Sequence, residues 1–194
     1  MIYTNLQARE RELHGIFESS RLLATDVGDI YDALVRDGSQ KPIAVDNGVA
    51  VKMGEFTGNG LQERYATIAK ITDKIAVVGA PANVKTALTT EEAQIYNYTN
   101  PAGKPAKTYA IQDPDKHTDI FGIAEYQFTT ESATKVKVEN LVTVDGNGAW
   151  VASETTELDS LKTSNGFVGK IHSISYGTFY NIVRISVIQN KDIA

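Results

Sequence analysis

Asp113, Asp115, His117 and Asp119, in the stretch DPDKHTD, are the side chains whose types and spacing come nearest to a reactive centre. Residues two apart in an extended segment project from one side, so the four could line an oxygen-rich cation site. Asp-Pro also starts turns, and a metal that does chemistry draws its ligands from several chain segments. The remaining histidines, His14 and His172, are distant in sequence. The stretch is therefore expected to be a solvated turn, with weak cation binding as its most demanding role, and no metal or cofactor is assigned.

Two further imitations fail on geometry. IAVVGAPANVKTAL, from Ile75 to Leu88, carries Lys85 and Thr86 at phosphate-loop spacing, but Val84 stands where such a loop needs glycine. A β-branched residue is disfavoured in that curled backbone, and Pro81 removes one N–H from the cradle. A buried strand followed by a Gly-Ala-Pro turn explains the same residues. VDGNGAW opens like a calcium loop at Asp145, yet Trp150 and Thr156 occupy the places of the obligatory Gly and Glu. A tight chain reversal accounts for it. None of the three histidines lies in a local signature of nucleophilic catalysis, and with no Cys there is no thiol nucleophile, disulfide or cysteine-rich zinc site. The residues therefore predict a protein that is not an enzyme.

Elements that could position a binding surface are easier to place. With 42% hydrophobic and 22% charged residues over 194 positions, there is enough apolar material for a full core. The net charge of −5 is dispersed, without the basic block that counterion release from phosphates requires, so no nucleic-acid partner is expected. No stretch approaches the roughly 20 apolar residues of a membrane span, and the charged N-terminus lacks a signal peptide's apolar segment. No membrane partner is expected either.

Near the N-terminus, Leu6, Leu13, Ile16 and Phe17 fall on one helical stripe opposite Arg9 to Glu12, which predicts an amphipathic helix. Such a helix docks on its own domain or, as an arm, on a neighbouring subunit. Residues 24–40 are ambiguous between helix and strand, and Gly38-Ser39-Gln40 marks a boundary, giving an arm over 1–40 and a β-rich domain over 41–194. Asn47-Gly48 predicts a hairpin between Val45 and the alternating Val49, Val51 and Met53. Val136, Val138, Val142 and Val144 share one face of a predicted half-buried strand, and Asp145 to Gly148 then reverses the chain. GKIHSISY and FYNIVRISVI predict a closing hairpin with a turn near Gly177. A helix is predicted from Thr90 to Asn100-Pro101. The expected fold is mainly β (α+β), an antiparallel barrel-like or sandwich domain with one or two short helices.

One stretch also carries a family likeness. KIAVVGAPANVKTALTTEEAQIYNYTNPAGKPAKTYAI followed by DIFGIAEYQF resembles capsid-associated proteins of tailed phages and prophages of Gram-positive bacteria. The residues that carry it are Val77, Val78, Ala80, Pro81, Tyr96, Asn100, Ala102, Gly103, Lys104, Tyr109, Asp119, Ile120 and Phe121. VDNGVAVKMGEF upstream and GFVGKIHSISYGTFYNIVRI downstream are similar to the family's Asn-Gly turn and closing hairpin; the charged N-terminal helix departs from its pattern. The resemblance implies a virion structural protein, made in the host cytoplasm and placed on the capsid surface as a decoration or cement protein. Its implied partners are the major capsid protein lattice and further copies of itself, as a homo-oligomer, with no catalytic residues carried over. Expected contact residues are Leu6, Leu13, Ile16 and Phe17 on the arm and Tyr96, Tyr98, Tyr176, Phe179 and Tyr180 on the domain, with core packing as the competing fate of each aromatic. Alternatives are a tail or head-tail joining component, a metal-dependent enzyme centred on Asp113 to Asp119, or a glycan-binding adhesin.

Overall fold

The computed structural model describes residues 14–19, 30–58, 63–79, 99–112, 114, 119–177 and 180–193. Their order is β1 (Phe17–Glu18), β2 (Ile30–Arg36), β3 (Val45–Asp46), β4 (Ala50–Phe56), β5 (Glu63–Ile68), β6 (Ala76–Val78), β7 (Thr99–Asn100), β8 (Ala106–Ala110), β9 (Ile120–Ala124), β10 (Leu141–Val144), β11 (Trp150–Ser153), α1 (Leu158–Ser164), β12 (Phe167–Ser175) and β13 (Ile182–Asn190). Short 3-10 turns cover Glu125–Gln127, Thr130–Lys135 and Thr155–Glu157. The protein is mainly β, as its sequence predicts.

Strands β2-β5-β4-β6-β8 close a small barrel in which β2 and β5 run parallel and every other pair is antiparallel. Five strands enclose little space, and the interior is filled accordingly by Ala33, Val35, Val51, Ala66, Ala76, Val78 and Ala106. The second layer is a six-stranded sheet ordered β1-β9-β13-β12-β10-β11, antiparallel throughout. Between the layers lies an aromatic core of Phe17, Phe121, Trp150 and Phe167, joined by Ala50, Ile75 and Val77 from the barrel. Ring centroids stand 5.5 Å apart for Phe121–Trp150 and 5.7 Å for Trp150–Phe167. All three residues of β6 are buried because it is covered on both faces, which is why it reads as a continuous apolar run.

Polar side chains lock the layers together. The Asn190 side chain donates to the Ile75 and Ile111 carbonyls at 2.9 and 2.7 Å and accepts from the Ile75 N–H at 2.8 Å, so the end of β13 is fastened to the barrel. A surface network adds to this: the Lys52 ammonium donates to Asp73 at 2.6 Å and to Asp192 at 3.2 Å.

Several expectations are corrected. Residues 14–16 carry no regular secondary structure and Phe17–Glu18 pair with β9, so the helical reading fails there. Apolar Ile16 and Phe17 are adjacent because both are enclosed, at 4% and 7% exposure, between elements distant in sequence. Leu6 and Leu13 lie outside the described residues. The arm drawn over 1–40 is also overtaken, since β2 is a central barrel strand paired with β5 and β8. Asn47-Gly48 is a turn, but β3 and β4 do not pair with each other; β3 pairs with β7, and β4 with β5 and β6. The predicted strand over Val136 to Val144 begins only at Leu141, because Glu139 adopts φ 76° and the Asn140 N–H closes a turn on the Lys137 carbonyl. The helix predicted over Thr90 to Asn100 lies mostly outside the described residues, and its end, Thr99–Asn100, is strand β7.

Candidate functional site

Two neighbouring features could engage another molecule: a cleft at the junction of the layers and the tip of the β12–β13 hairpin. The cleft is built around the Asn47-Gly48 turn. Gly48 takes φ +77°, and a Cβ there would lie 2.3 Å from the Gln127 side-chain nitrogen and 2.6 Å from the Ile16 carbonyl oxygen, so the turn needs glycine for both conformation and space. Around it the Gln127 amide makes three hydrogen bonds. Its oxygen accepts from the Ile16 and Ala124 N–H groups, each at 2.9 Å, and its nitrogen donates to the Asn47 carbonyl at 3.0 Å. The Trp150 indole donates to the Gly48 carbonyl at 2.7 Å, and the Asn100 amide donates to the Val45 carbonyl at 3.0 Å.

Above this knot, the His14 imidazole faces the Asp46 carboxylate, its Nδ1 3.1 and 3.2 Å from the two oxygens. The Tyr126 hydroxyl donates to the His14 carbonyl at 2.8 Å. Burial pushes the Tyr126 phenol well above its ordinary range, and Tyr180 and Asp46 add to the shift, so it remains a neutral donor. An open depression of about 430 Å³ runs past His14, Ala44, Asp46, Val49, Ile68 and Asn147. A carboxylate-oriented imidazole supplies two of the three members of a catalytic triad, but among the described residues no Ser, Thr, Lys or Cys lines this depression. The contacts that His14 and Asp46 make are those of a clasp: together with Gln127 they hold residues 14–16 against the turn.

The hairpin tip is the most exposed apolar feature among the described residues. Tyr176 is 82% exposed, directly after β12. Its base is ordered by hydrogen bonds: the Asn181 side chain donates to Glu125 at 2.5 Å and accepts from the Gly177 N–H at 3.3 Å, while the Glu125 N–H donates to the Asn181 carbonyl at 2.9 Å. Tyr180 is half-buried beside Tyr126. On the outer face of the sheet, the Arg184 guanidinium meets Glu18 through two nitrogens at 3.0 and 3.1 Å.

The sequence candidates thus divide. Tyr176 and Tyr180 both lie at the hairpin, Ile16 and Phe17 are committed to the chain's own core, and Leu6, Leu13, Tyr96, Tyr98 and Phe179 lie outside the described residues. Of the four residues weighed for a cation, Asp113, Asp115 and His117 lie outside as well. Asp119 is fully buried, where its carboxylate accepts from the Gln112 N–H at 3.0 Å, a structural role. Among the described residues no three His, Asp or Glu side chains converge as a metal site. Gly79, which gave the phosphate-loop imitation its glycine, is required by packing, because a Cβ there would lie 2.6 Å from the Phe17 ring and 2.8 Å from that of Tyr109. Gln127, Asp46 and Tyr126 were invisible as candidates, since each acts on residues far away in sequence. Comparison with known proteins adds no relative: no family model, curated protein or solved structure matches the chain.

Proposed function

We propose that this chain is a non-enzymatic structural protein of a virion that docks on the outer surface of a phage capsid as a decoration or cement protein. The observation that carries the docking role is Tyr176, a large aromatic 82% exposed at the end of a nine-residue strand whose base is tied down by Asn181 and Glu125. Tyrosine offers a broad apolar face and a hydroxyl at small conformational cost, which is why it is enriched at binding hot spots. The capsid as partner comes from the sequence resemblance. The chemistry suits that placement, since an acidic surface with a net charge of −5 favours the outside of a shell over the side facing packaged DNA. Modest affinity per copy suffices, because many copies on an ordered lattice add avidity where they bridge neighbouring subunits.

Purified protein mixed with capsids that lack it is expected to co-sediment in a fixed ratio to the shell protein. Tyr176→Ala should weaken that binding by ten-fold or more, the scale of a hot-spot loss of about 2 kcal/mol, while leaving the melting midpoint unchanged. Equal binding by the variant would remove the hairpin from the interface, and failure of the parent protein to bind any particle would remove the capsid role. A tail or head-tail joining position would instead show as a handful of copies per particle.

A further inference from the structure

Strand β12 outruns its neighbour. On one side it pairs with β13 along its length, but on the other β10 covers only Gly169 and Lys170, and the pairing ends where the Ile171 N–H donates to the Asn140 carbonyl and its carbonyl accepts from the Glu139 N–H. The left-handed backbone of Glu139 then turns the chain away. From His172 to Ser175 the strand has no backbone partner on that side among the described residues. Against β13 the register shifts twice, between Val168 and Gly169 and between Ile171 and Ser173, and beyond the second shift it is regular, with Ser173, Ile174 and Ser175 opposite Arg184, Val183 and Ile182.

Natural sheets protect such an edge with Lys, Pro or inward charges. Here the sequence is Ile-His-Ser-Ile-Ser-Tyr-Gly from Ile171 to Gly177, with no Lys, Arg, Asp, Glu or Pro. Exposed hydrophobic side chains bracket the edge: Val138, 49% exposed, in the turn where β10 leaves, and Tyr176 at the far end. They are two of the four large hydrophobic residues exposed among the described residues.

We infer that this edge is a self-association site, where β12 of a second copy adds antiparallel to β12 across a two-fold axis. A stretch without charged side chains, Ile171 to Gly177, in a protein of net charge −5 is the place where two like-charged copies approach at least electrostatic cost. A two-fold centred on Ile174 sets Ser173 opposite Ser175 and His172 opposite Tyr176, so each tyrosine ring covers the other copy's histidine and approaches its Val138. Main-chain hydrogen bonds supply the register and the two aromatic ends the apolar contact, the logic of strand addition. Four or five paired residues make a small interface, so the dimer is weak in dilute solution and strengthens when a surface concentrates the copies. This inference uses the same hairpin as the docking role but does not require the capsid.

The test is sedimentation equilibrium of the full chain over a wide concentration range, alongside the double variant His172→Lys with Tyr176→Lys. The parent should show a concentration-dependent, two-fold rise in weight-average mass, and the variant, folded by circular dichroism, should stay monomeric. Ile71→Lys, at another exposed apolar position, should dimerise like the parent. Amide exchange at low and high parent concentration reads the site without mutation, and slowing confined to residues 172–176 is expected. A parent that stays monomeric, a variant that still dimerises, or protection elsewhere would each overturn the pairing. A monomer that still co-sediments with capsids would sink this inference and leave the docking role standing.

Discussion

Replacing Gln127 by alanine tests whether the knot beneath the cleft holds the N-terminal strand to the rest of the molecule. The side chain makes three hydrogen bonds, at 2.9, 2.9 and 3.0 Å, to Ile16, Ala124 and Asn47, joining three chain segments that share no local sequence. Each such bond contributes about 0.5 to 1.5 kcal/mol net, so losing all three should cost about 2 to 4 kcal/mol. For a domain of this size that lowers the melting midpoint by about 4 to 16 °C. Urea unfolding followed by fluorescence is the natural assay, because the single tryptophan, Trp150, donates its indole N–H to Gly48 within the same knot. Gln127→Met preserves length while removing every polar atom, and should lose nearly as much as Gln127→Ala. A loss below about 0.5 kcal/mol in both variants would refute the reasoning, since three backbone groups would then have found other partners at no cost. A large loss in alanine with none in methionine would also refute it, by tracing the effect to packing.

Gly48→Ala should destabilise by at least about 2 kcal/mol, because it combines a left-handed backbone with contacts a Cβ cannot make. Gly58→Ala is the internal control: its φ is +81°, but among the described residues a Cβ there meets nothing within 4 Å, so only the conformational cost of about 1 to 2 kcal/mol remains, and equal losses at the two sites would contradict the packing described. The Lys74 N–H and the Lys52 ammonium hold the Asp192 carboxyl below its ordinary range. Its contribution is therefore complete at neutral pH and lost as the pH falls through the lowered folded-state value. Because Asp192 is 62% exposed, solvent screening keeps the effect under about 1 kcal/mol. Asp192→Asn should flatten the acid limb of a stability-against-pH curve by that small amount, and an unchanged limb would assign it to other carboxylates. The Lys52 ammonium is raised, chiefly by its hydrogen bond to Asp73, so its contribution persists through neutral pH and fades only as the pH climbs past its folded-state value.

What the sequence made legible was local. Alternation of Val183, Ile185 and Val187 with polar neighbours gave the closing hairpin, and Asp145 to Gly148 gave the reversal into Trp150, because strand period and turn chemistry are written within a few residues. Asn47-Gly48 was legible as a turn but not as to its partners, since pairing of β3 with β7 spans residues more than fifty apart. Ile16 and Phe17 misled for a related reason: two neighbouring apolar residues satisfy a helical stripe, and they equally satisfy an extended segment enclosed on both sides. Tyr176 was one of the candidate contact aromatics, with core packing as its competing fate, and it is 82% exposed. The open edge of β12 was not legible, because it exists only through the early departure of β10 at Glu139, a residue type with no preference for the left-handed backbone it adopts.

The hairpin's suitability for docking depends on where its strands end. β13 begins at Ile182 beside the tip and finishes at Asn190, whose side-chain amide bonds to both Ile75 and Ile111 of the barrel side. Midway, Val183, Ile185 and Val187 enter the shared core, and the Arg184–Glu18 pair braces the outer face. Tyr176 is thus carried by an element anchored at its base, along its length and at its far end. Ordering a loose segment on binding costs about 1 to 2 kcal/mol per residue, whereas an anchored strand has already lost that freedom on folding. In the proposed docking, a single exposed tyrosine carried this way would deliver most of its contact energy to the partner, because little ordering remains to be done.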